Sequence, residues 1–580
     1  MRRRIAVRRR RRGLVCVLAL AVIVASAPTA AAASGTARGS TSPRILGATP
    51  GDAPVEFDLV LDVPDEAELH AFVARVNDPK SPDYHRYLTP DEIGRRFGIS
   101  DAALTRVESW VTSMGMHVVE GYPQRTSLRV AGTAATVNRA FHVQLIDRMD
   151  PATHERYHAP RGDAAVPRAL AGAVDAIAGL DTRPLDHLAP RVAPRAGLSS
   201  CQSDPQCYSP ERLARTFDFA GIHADGMQGQ GETVAVIMDG KVSDQDIDQW
   251  ATSAGLANVE PVKRITVGGG PDADEANSAE SIAEGTMDVE TVLAVAPKAQ
   301  VLYYFAPLDA FGDAVDAVVQ DKAANVVTYS AGACDEARLS NPDARAARTR
   351  DARAVEKAAG VGVNVLVSSG DSGAYTCSRS NPDDWRVTGT SPSDFPYTLS
   401  VGGTFVERRP DGTYVDEAAW EWPFANAGTG GGLNPVDDRP AWQRGPGVDN
   451  ASSNGKRQFP DVAAPADPLS GWYIVVNGKP SEAGGTSASS PFWAGLLALY
   501  DEMAKRAGMQ GIGLVAPTLY AVAAAAEPDT VFHDVVRGGN LFYEATPGWD
   551  YATGLGTPIG SKLGAAIVEY LKAHPGAPTT

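Results

Sequence analysis

Four short runs in the second half of the chain are almost continuously apolar: Thr233 to Met238, Gln300 to Phe305, Asn325 to Tyr329 and Val363 to Ser368. Each has the length of a strand, and a strand without polar alternation is one buried on both faces. Between them lie segments with helical spacing of apolar positions, around Ser281 to Ala296 and Gly312 to Ala323. Strands and helices in alternation predict a parallel sheet covered by helices, the α/β class. The first half reads differently. Short strands are expected at Val55 to Val63, Leu128 to Ala131 and Val143 to Ile146, with helices at Glu66 to Asn77 and Asp101 to Met114. That mixture predicts a separate α+β unit.

One further apolar run, Leu14 to Ala27, follows the arginine-rich Met1 to Gly13 and precedes small residues that continue to Ser34. Its 14 residues fall short of the ~20 that span a bilayer. Residues 1–33 therefore read as a signal peptide, with a secreted product that has no stable membrane span after signal removal. An uncleaved anchor is the alternative. The proline- and arginine-rich stretch 181–200 reads as an exposed linker between an α+β domain, 34–180, and an α/β domain, 201–580.

Charge adds to this division. The formal net charge of −17 argues against a nucleic-acid partner, which needs a basic face. Residues 1–195 hold 26 Lys+Arg against 21 Asp+Glu, whereas residues 196–580 hold 27 against 49. A positive small domain beside an acidic large one predicts electrostatic docking that weakens as carboxylates protonate. Cys201, Cys207, Cys334 and Cys377 remain after the signal. They allow three pairings, of which Cys201–Cys207 and Cys334–Cys377 are favoured. The lack of close Cys-x-x-Cys pairs argues against zinc.

The candidate chemistry starts at Gly484-Gly485-Thr486-Ser487-Ala488-Ser489-Ser490-Pro491. Proline suits the first turn of a helix, so Ser487 is expected at a helix N-terminus on a backbone opened by glycines. A serine nucleophile needs a base. Seven of the ten histidines precede residue 190, and His223, His533 and His574 have no local catalytic context. Carboxylates are better placed. Glu284 and Asp288, spaced i, i+4, share one helix face, and two such close carboxyls titrate as a pair. Asp371, in Ser369-Gly370-Asp371-Ser372-Gly373 directly after an apolar strand, stands at the carboxyl end of the sheet, where α/β folds place ligands. There, protonated, it could donate to an oxyanion.

Together these stretches resemble the sedolisin family of serine-carboxyl peptidases. The resemblance implies a subtilisin-like catalytic domain, with Ser487 as nucleophile, Glu284 as general base and acid, Asp288 orienting it, and Asp371 at the oxyanion. It implies acid action on peptides or unfolded proteins through an acyl-enzyme, as an endopeptidase or a tripeptidyl-peptidase. Asp78-Pro79-Lys80-Ser81-Pro82-Asp83-Tyr84-His85 is similar to the family's activation prosegment. The α+β domain would then be a kumamolisin-like prodomain, an intramolecular inhibitor and chaperone, with the maturation site in 181–200. Phe532-His533-Asp534-Val535 and Thr546-Pro547-Gly548-Trp549-Asp550 are similar to the family's single structural calcium site. Its ligands would be the Asp534 and Asp550 side chains and the Val535, Thr546 and Gly548 carbonyls, a hard-oxygen set suited to calcium. Gly430-Gly431-Gly432 resembles a substrate-side segment whose bare backbone could pair with a peptide. Met238, beside Asp239, and Ala331 depart from the family pattern. Two other readings stand beside this one: a subtilisin-like enzyme with a histidine base, His223 or His533, and a secreted binding protein that grips peptides without cutting them.

Overall fold

The computed structural model describes residues 43–150, 156–183, 207–256 and 258–576. The signal peptide, most of the linker with its maturation site, and Cys201 with its pairing to Cys207 lie outside the described residues.

The four apolar runs become neighbours in one sheet, and its described strands run in the order Tyr414–Ala419, Thr398–Arg408, Asn364–Ser368, Val326–Tyr329, Thr233–Met238, Gln300–Phe305 and Lys263–Thr266. All of these pairings are parallel except that of Tyr414–Ala419. Val462–Pro465 adds a further parallel strand against Thr398–Arg408. Helices cover the sheet, and two matter here: Ala279–Val295 and Thr486–Arg506. Nearly every side chain of both is buried, which is why neither shows an amphipathic stripe. They pack together closely. At Gly495 an added Cβ would stand 2.8 Å from the Val295 side chain, so only glycine allows this approach. Cys334 and Cys377 are disulfide-bonded, with Cα atoms 5.0 Å apart.

The first half forms an α+β domain with its own core, built from Phe57, Leu59, Val107, Val130, Val137 and Phe141 among others. Its antiparallel sheet runs His117–Gly121, Ser127–Thr133, Pro54–Leu61, Val174–Ala178. Helices Glu66–Val76, Asp101–Ser113 and Ala134–Phe141 accompany it.

This domain docks on the helix Pro342–Gly360 of the α/β domain, by a different logic from the one expected. Nine arginines before residue 44 carry the positive charge of the first half, and residues 44–183 hold 15 basic against 20 acidic residues. Both partners are therefore acidic, and docking rests on individual pairs made by buried basic side chains of this helix. Arg350 meets Asp58, and Arg353 meets Glu66 and Asp175, each at 3.0 Å. Lys357 Nζ donates to the Gln124 and Arg125 carbonyls at 3.0 and 3.2 Å. In the other direction, the Gly179 and Leu180 N–H groups donate to Asp343 at 3.1 and 2.9 Å.

The pH dependence expected of these carboxylates is also reversed. Burial pushes Asp58 up to about 7 and Asp343 up to about 6. Groups whose pKa rises on docking hold protons more tightly when docked, so their linkage favours docking as pH falls. His85 has the opposite sign. It lies between Tyr84 and Tyr87, with ring centroids at 3.9 and 5.4 Å. Its buried Nε2 faces Gly513 and has no hydrogen-bond partner among the described residues. Burial pushes it down from 6.5 to about 4. Its contribution to docking is thus present above pH ~6.5 and is lost as pH falls toward 4. In the full-length chain carrying Ser487→Ala, going from pH 7 to 4.5 should weaken the interface about fifty-fold more with His85 than with His85→Gln. The exchange protection of the Leu514 amide, which donates to Tyr87 at 3.0 Å, reads this directly. Equal responses in the two proteins would show that His85 does not sense pH.

Candidate active site

Ser487 is the second residue of the helix Thr486–Arg506, whose N-cap is Gly485 at φ 113°. That backbone conformation favours glycine, and so does the space: a Cβ on Gly485 would stand 2.5 Å from Asp371 Oδ2. The Asp371 carboxyl therefore occupies the notch that the missing side chain leaves at the helix start. Asp371 follows the strand Asn364–Ser368, at the carboxyl end of the sheet. The Thr486 N–H and hydroxyl donate to its Oδ1 at 2.8 and 2.9 Å. Gly370 N–H donates to the Thr486 hydroxyl at 3.0 Å, closing the link between turn and helix.

Pro491 is not in the first turn, as its tolerance there predicts; it lies inside the helix, which begins five residues before it. In the glycine segment, Gly430 N–H donates to Gly370 O at 2.7 Å, and Gly432 pairs with Phe459.

The facing helix Ala279–Val295 supplies the carboxylates. Glu284 and Asp288 lie one turn apart, 2% and 0% exposed. Burial and then the Asp288 charge raise the pKa of Glu284 well above the ordinary carboxylate value, against the neighbouring Ser487 hydroxyl, which lowers it; neither Glu284 carboxyl oxygen has a hydrogen-bond partner among the described residues. The Asp371 and Asp239 charges also raise it. Burial likewise raises Asp288, against a hydrogen bond from Ser330 that lowers it. A base near its ordinary pKa is therefore not what the structure holds; the two carboxyls form one coupled, proton-retaining pair.

The four expected residues thus meet at one place. The histidines do not. His223 Nε2 lies 2.8 Å from the Val295 carbonyl, His533 stacks on Tyr414, and His574 stacks on Tyr570.

Three neighbours had no role in the sequence reading, which noted Asp239 only as adjoining Met238. Asp239, at the end of Thr233–Met238, accepts from Ser281 at 2.8 Å. The Tyr303 hydroxyl donates to the Gly240 carbonyl at 2.5 Å and lies against Gly285. Ser330 Oγ lies 3.0 Å from Asp288 Oδ1. For Asp239 and Ser330 the signal was position, since each directly follows an apolar strand.

Comparison with known proteins agrees with this geometry. Residues 44–183 match the family model for the pro-kumamolisin activation domain, and residues 275–511 match the subtilase family. Over 542 residues the chain is 30% identical to kumamolisin of Bacillus sp. (strain MN-32), covering 90% of this chain and 93% of the relative. The chain belongs to the sedolisin family. Within it, sedolisin of Pseudomonas sp. (strain 101) is 28% identical over 528 residues, with 87% and 86% covered. The solved structure of Pseudomonas sedolisin, a serine-carboxyl proteinase complexed with two molecules of pseudo-iodotyrostatin, superposes with a TM-score of 0.54 at 26% identity. That match covers 63% of this chain and 98% of the solved one. As a sedolisin-family member the chain is a serine-type peptidase, made as a proenzyme with an activation domain ahead of a subtilase-like domain.

Two carboxylates stand apart from this site. Asp534 accepts from Gly548 N–H at 3.1 and 3.0 Å. Asp550 accepts from Thr546 N–H at 2.9 Å and from Ala552 and Thr553 N–H, each at 2.8 Å. Both therefore face the loop 546–550. Burial raises both, Asp550 to about 7, and no cation contributes to either. A buried Asp550 and a half-buried Asp534, with no basic side chain among the groups that shift them, are a donor set that fits a cation.

Proposed function

We propose that this sedolisin-family proenzyme is an acid-acting peptidase that works through Ser487, Glu284 and Asp288, with Asp371 at the oxyanion. The observation that carries the reading is that Ser487 neighbours the buried Glu284–Asp288 carboxyl pair, with Asp371 seated at the start of its helix. Ser487 Oγ attacks the scissile carbonyl as its proton passes to Glu284, and the Ser–acyl bond forms. Asp288, holding the pair's remaining proton, leaves Glu284 as the ionised carboxylate beside Ser487. The developing oxyanion receives the Asp371 acid O–H and the Ser487 backbone N–H. Since Asp371 Oδ1 already takes two donors from Thr486, the acid proton resides on Oδ2. Glu284 then protonates the leaving amine, and water releases the acyl group by the reverse path.

The active form carries one proton on the Glu284–Asp288 pair and one on Asp371. Raising the pH removes them, and the groups that bind and position substrate cannot compensate. For the mature enzyme, kcat/KM measured from pH 3 to 8 should peak below neutrality and fall to a few per cent of its maximum by pH 8. Retained activity at pH 8 would return the histidine-base reading to the front.

In the same reading Asp534, Asp550 and the Val535, Thr546 and Gly548 carbonyls hold one calcium ion, which ties the 532–535 and 546–550 segments together and takes no part in catalysis. With calcium at 100 times its Kd, binding adds about 2.7 kcal/mol of stability. Chelation should lower the melting temperature of the wild type and leave that of Asp534→Asn unchanged. An identical response in both would reject these ligands. The leader and the oxidised Cys334–Cys377 pair support a secreted protein, with peptides or unfolded proteins as substrates and the prodomain as its inhibitor.

A further inference from the structure

Pro491 stands four residues after Ser487 in the same helix. In a regular helix the N–H of residue 491 would donate to the Ser487 carbonyl, and proline has no N–H. The donor that reaches this carbonyl instead is the Ser330 hydroxyl, at 3.2 Å. Ser330 is fully buried, at the end of the strand Val326–Tyr329, and its Oγ also lies 3.0 Å from Asp288 Oδ1. One hydroxyl thus sits between the main chain of the nucleophile and the orienting carboxyl.

A serine hydroxyl carries a single proton. When Asp288 is protonated, its O–H donates to Ser330 Oγ, and Ser330 directs its own proton to the Ser487 carbonyl. When Asp288 is ionised, the charged acceptor draws the Ser330 proton, because hydrogen bonds to ionised groups are the stronger ones. The hold of Ser330 on the Ser487 backbone then weakens. The other titratable groups facing the pair are Asp371, after the strand Asn364–Ser368, Asp239, after Thr233–Met238, and Tyr303, on Gln300–Phe305.

We propose that Ser330 is a positioning residue that couples the protonation of the Glu284–Asp288 pair to the placement of the backbone carrying Ser487, in the place of the helix hydrogen bond that Pro491 removes. This rests on the roles given above to Ser487, Glu284 and Asp288. The site then senses its own protonation. The singly protonated pair, the form competent as base, holds the nucleophile firmly, and the fully ionised pair does not.

Two substitutions should move the alkaline limb of kcat in opposite directions. Ser330→Ala removes a donor to ionised Asp288, so the limb moves to higher pH. It also removes the hold on the Ser487 carbonyl, so kcat at the optimum falls about tenfold, the scale of one lost hydrogen bond, with KM within about twofold. Pro491→Ala supplies an N–H for the Ser487 carbonyl and frees Ser330 for Asp288, so the limb moves to lower pH. The double variant Ser330→Ala/Pro491→Ala should recover a large part of the lost kcat while keeping the raised limb. Ser330→Thr, which keeps the hydroxyl, should stay close to wild type.

The experiment measures kcat and KM from pH 3 to 8 for these proteins, each matured from the full chain, and for Ser487→Ala with its prosegment removed by an added protease, on one peptide that the wild type cuts. Limbs that do not move, or a double variant no better than Ser330→Ala, would overturn the proposal, since a merely structural role predicts both. Pro491→Ala removes only two ring carbons and restores a helix N–H, so the test stands even if Ser330→Ala does not fold. An inactive Ser487→Ala beside unmoved limbs rejects this inference alone; an active Ser487→Ala rejects the site it rests on.

Discussion

Ser487→Ala is expected to lower kcat/KM by at least ~10⁴-fold, and Glu284→Gln by a similar factor. Removing a nucleophile leaves only the help that binding and oxyanion stabilisation give to attack by water. Glutamine fills the volume of Glu284 and cannot take the serine proton. Because the two side chains act as one unit, the double variant should be no worse than either single one. Additive losses would mean that they serve separate steps. The comparison belongs near pH 4, with thermal melting to confirm that both variants are folded. Glu284 is buried and raised by its neighbours, so its neutral replacement should not destabilise the protein.

Asp371→Ala should cost ~10²–10³-fold in kcat, the range found when one oxyanion donor is lost. Asp371→Asn is more informative. Its amide oxygen can keep both bonds from Thr486, at 2.8 and 2.9 Å in the wild type, and its Nδ2 then presents a donor where the acid O–H stood. An amide does not titrate. The asparagine enzyme should therefore retain part of its kcat and hold it to higher pH than the wild type. Its acid limb, set by the Glu284–Asp288 pair, should stay in place. A loss within threefold for Asp371→Ala would remove Asp371 from the oxyanion site.

How much of this was legible in the sequence depended on whether the controlling interaction was local. The runs Thr233 to Met238 and Gln300 to Phe305 coincide with strands, because a parallel sheet covered on both sides leaves little room for polar residues. The i, i+4 pairing of Glu284 and Asp288 was legible because one helix brings them together. Their meeting with Ser487 and Asp371 required sheet order and helix packing, which no spacing states. There the resemblance to the sedolisin family supplied what periodicity could not.

The errors have equally physical causes. Pro491 was placed in the first turn because a mid-helix proline is costly in isolation; Ser330, 157 residues before Ser487 in sequence, reaches the carbonyl that lacks its helix donor. Summed charge misjudged the docking because the arginines that dominate the first half lie in the leader. The interface instead depends on where Arg350, Arg353 and Lys357 sit on one helix, and on the acids and carbonyls that face them. His85 was noticed only as part of a prosegment motif, since its role depends on burial against Gly513.

The central claim is that a serine-carboxyl site switches on in acid, and the intact proenzyme tests it most directly. Wild type and Ser487→Ala, full length, would be taken from pH 7 to pH 4 while chain mass and hydrolysis of a mixed peptide library are followed together. The account predicts that the wild type alone loses its prosegment within the 181–200 stretch and then cuts peptides, while Ser487→Ala stays whole and inactive. If Ser487→Ala cuts the library as the wild type does, or if the wild type stays inactive at pH 4 with its prosegment removed and calcium supplied, the account is contradicted.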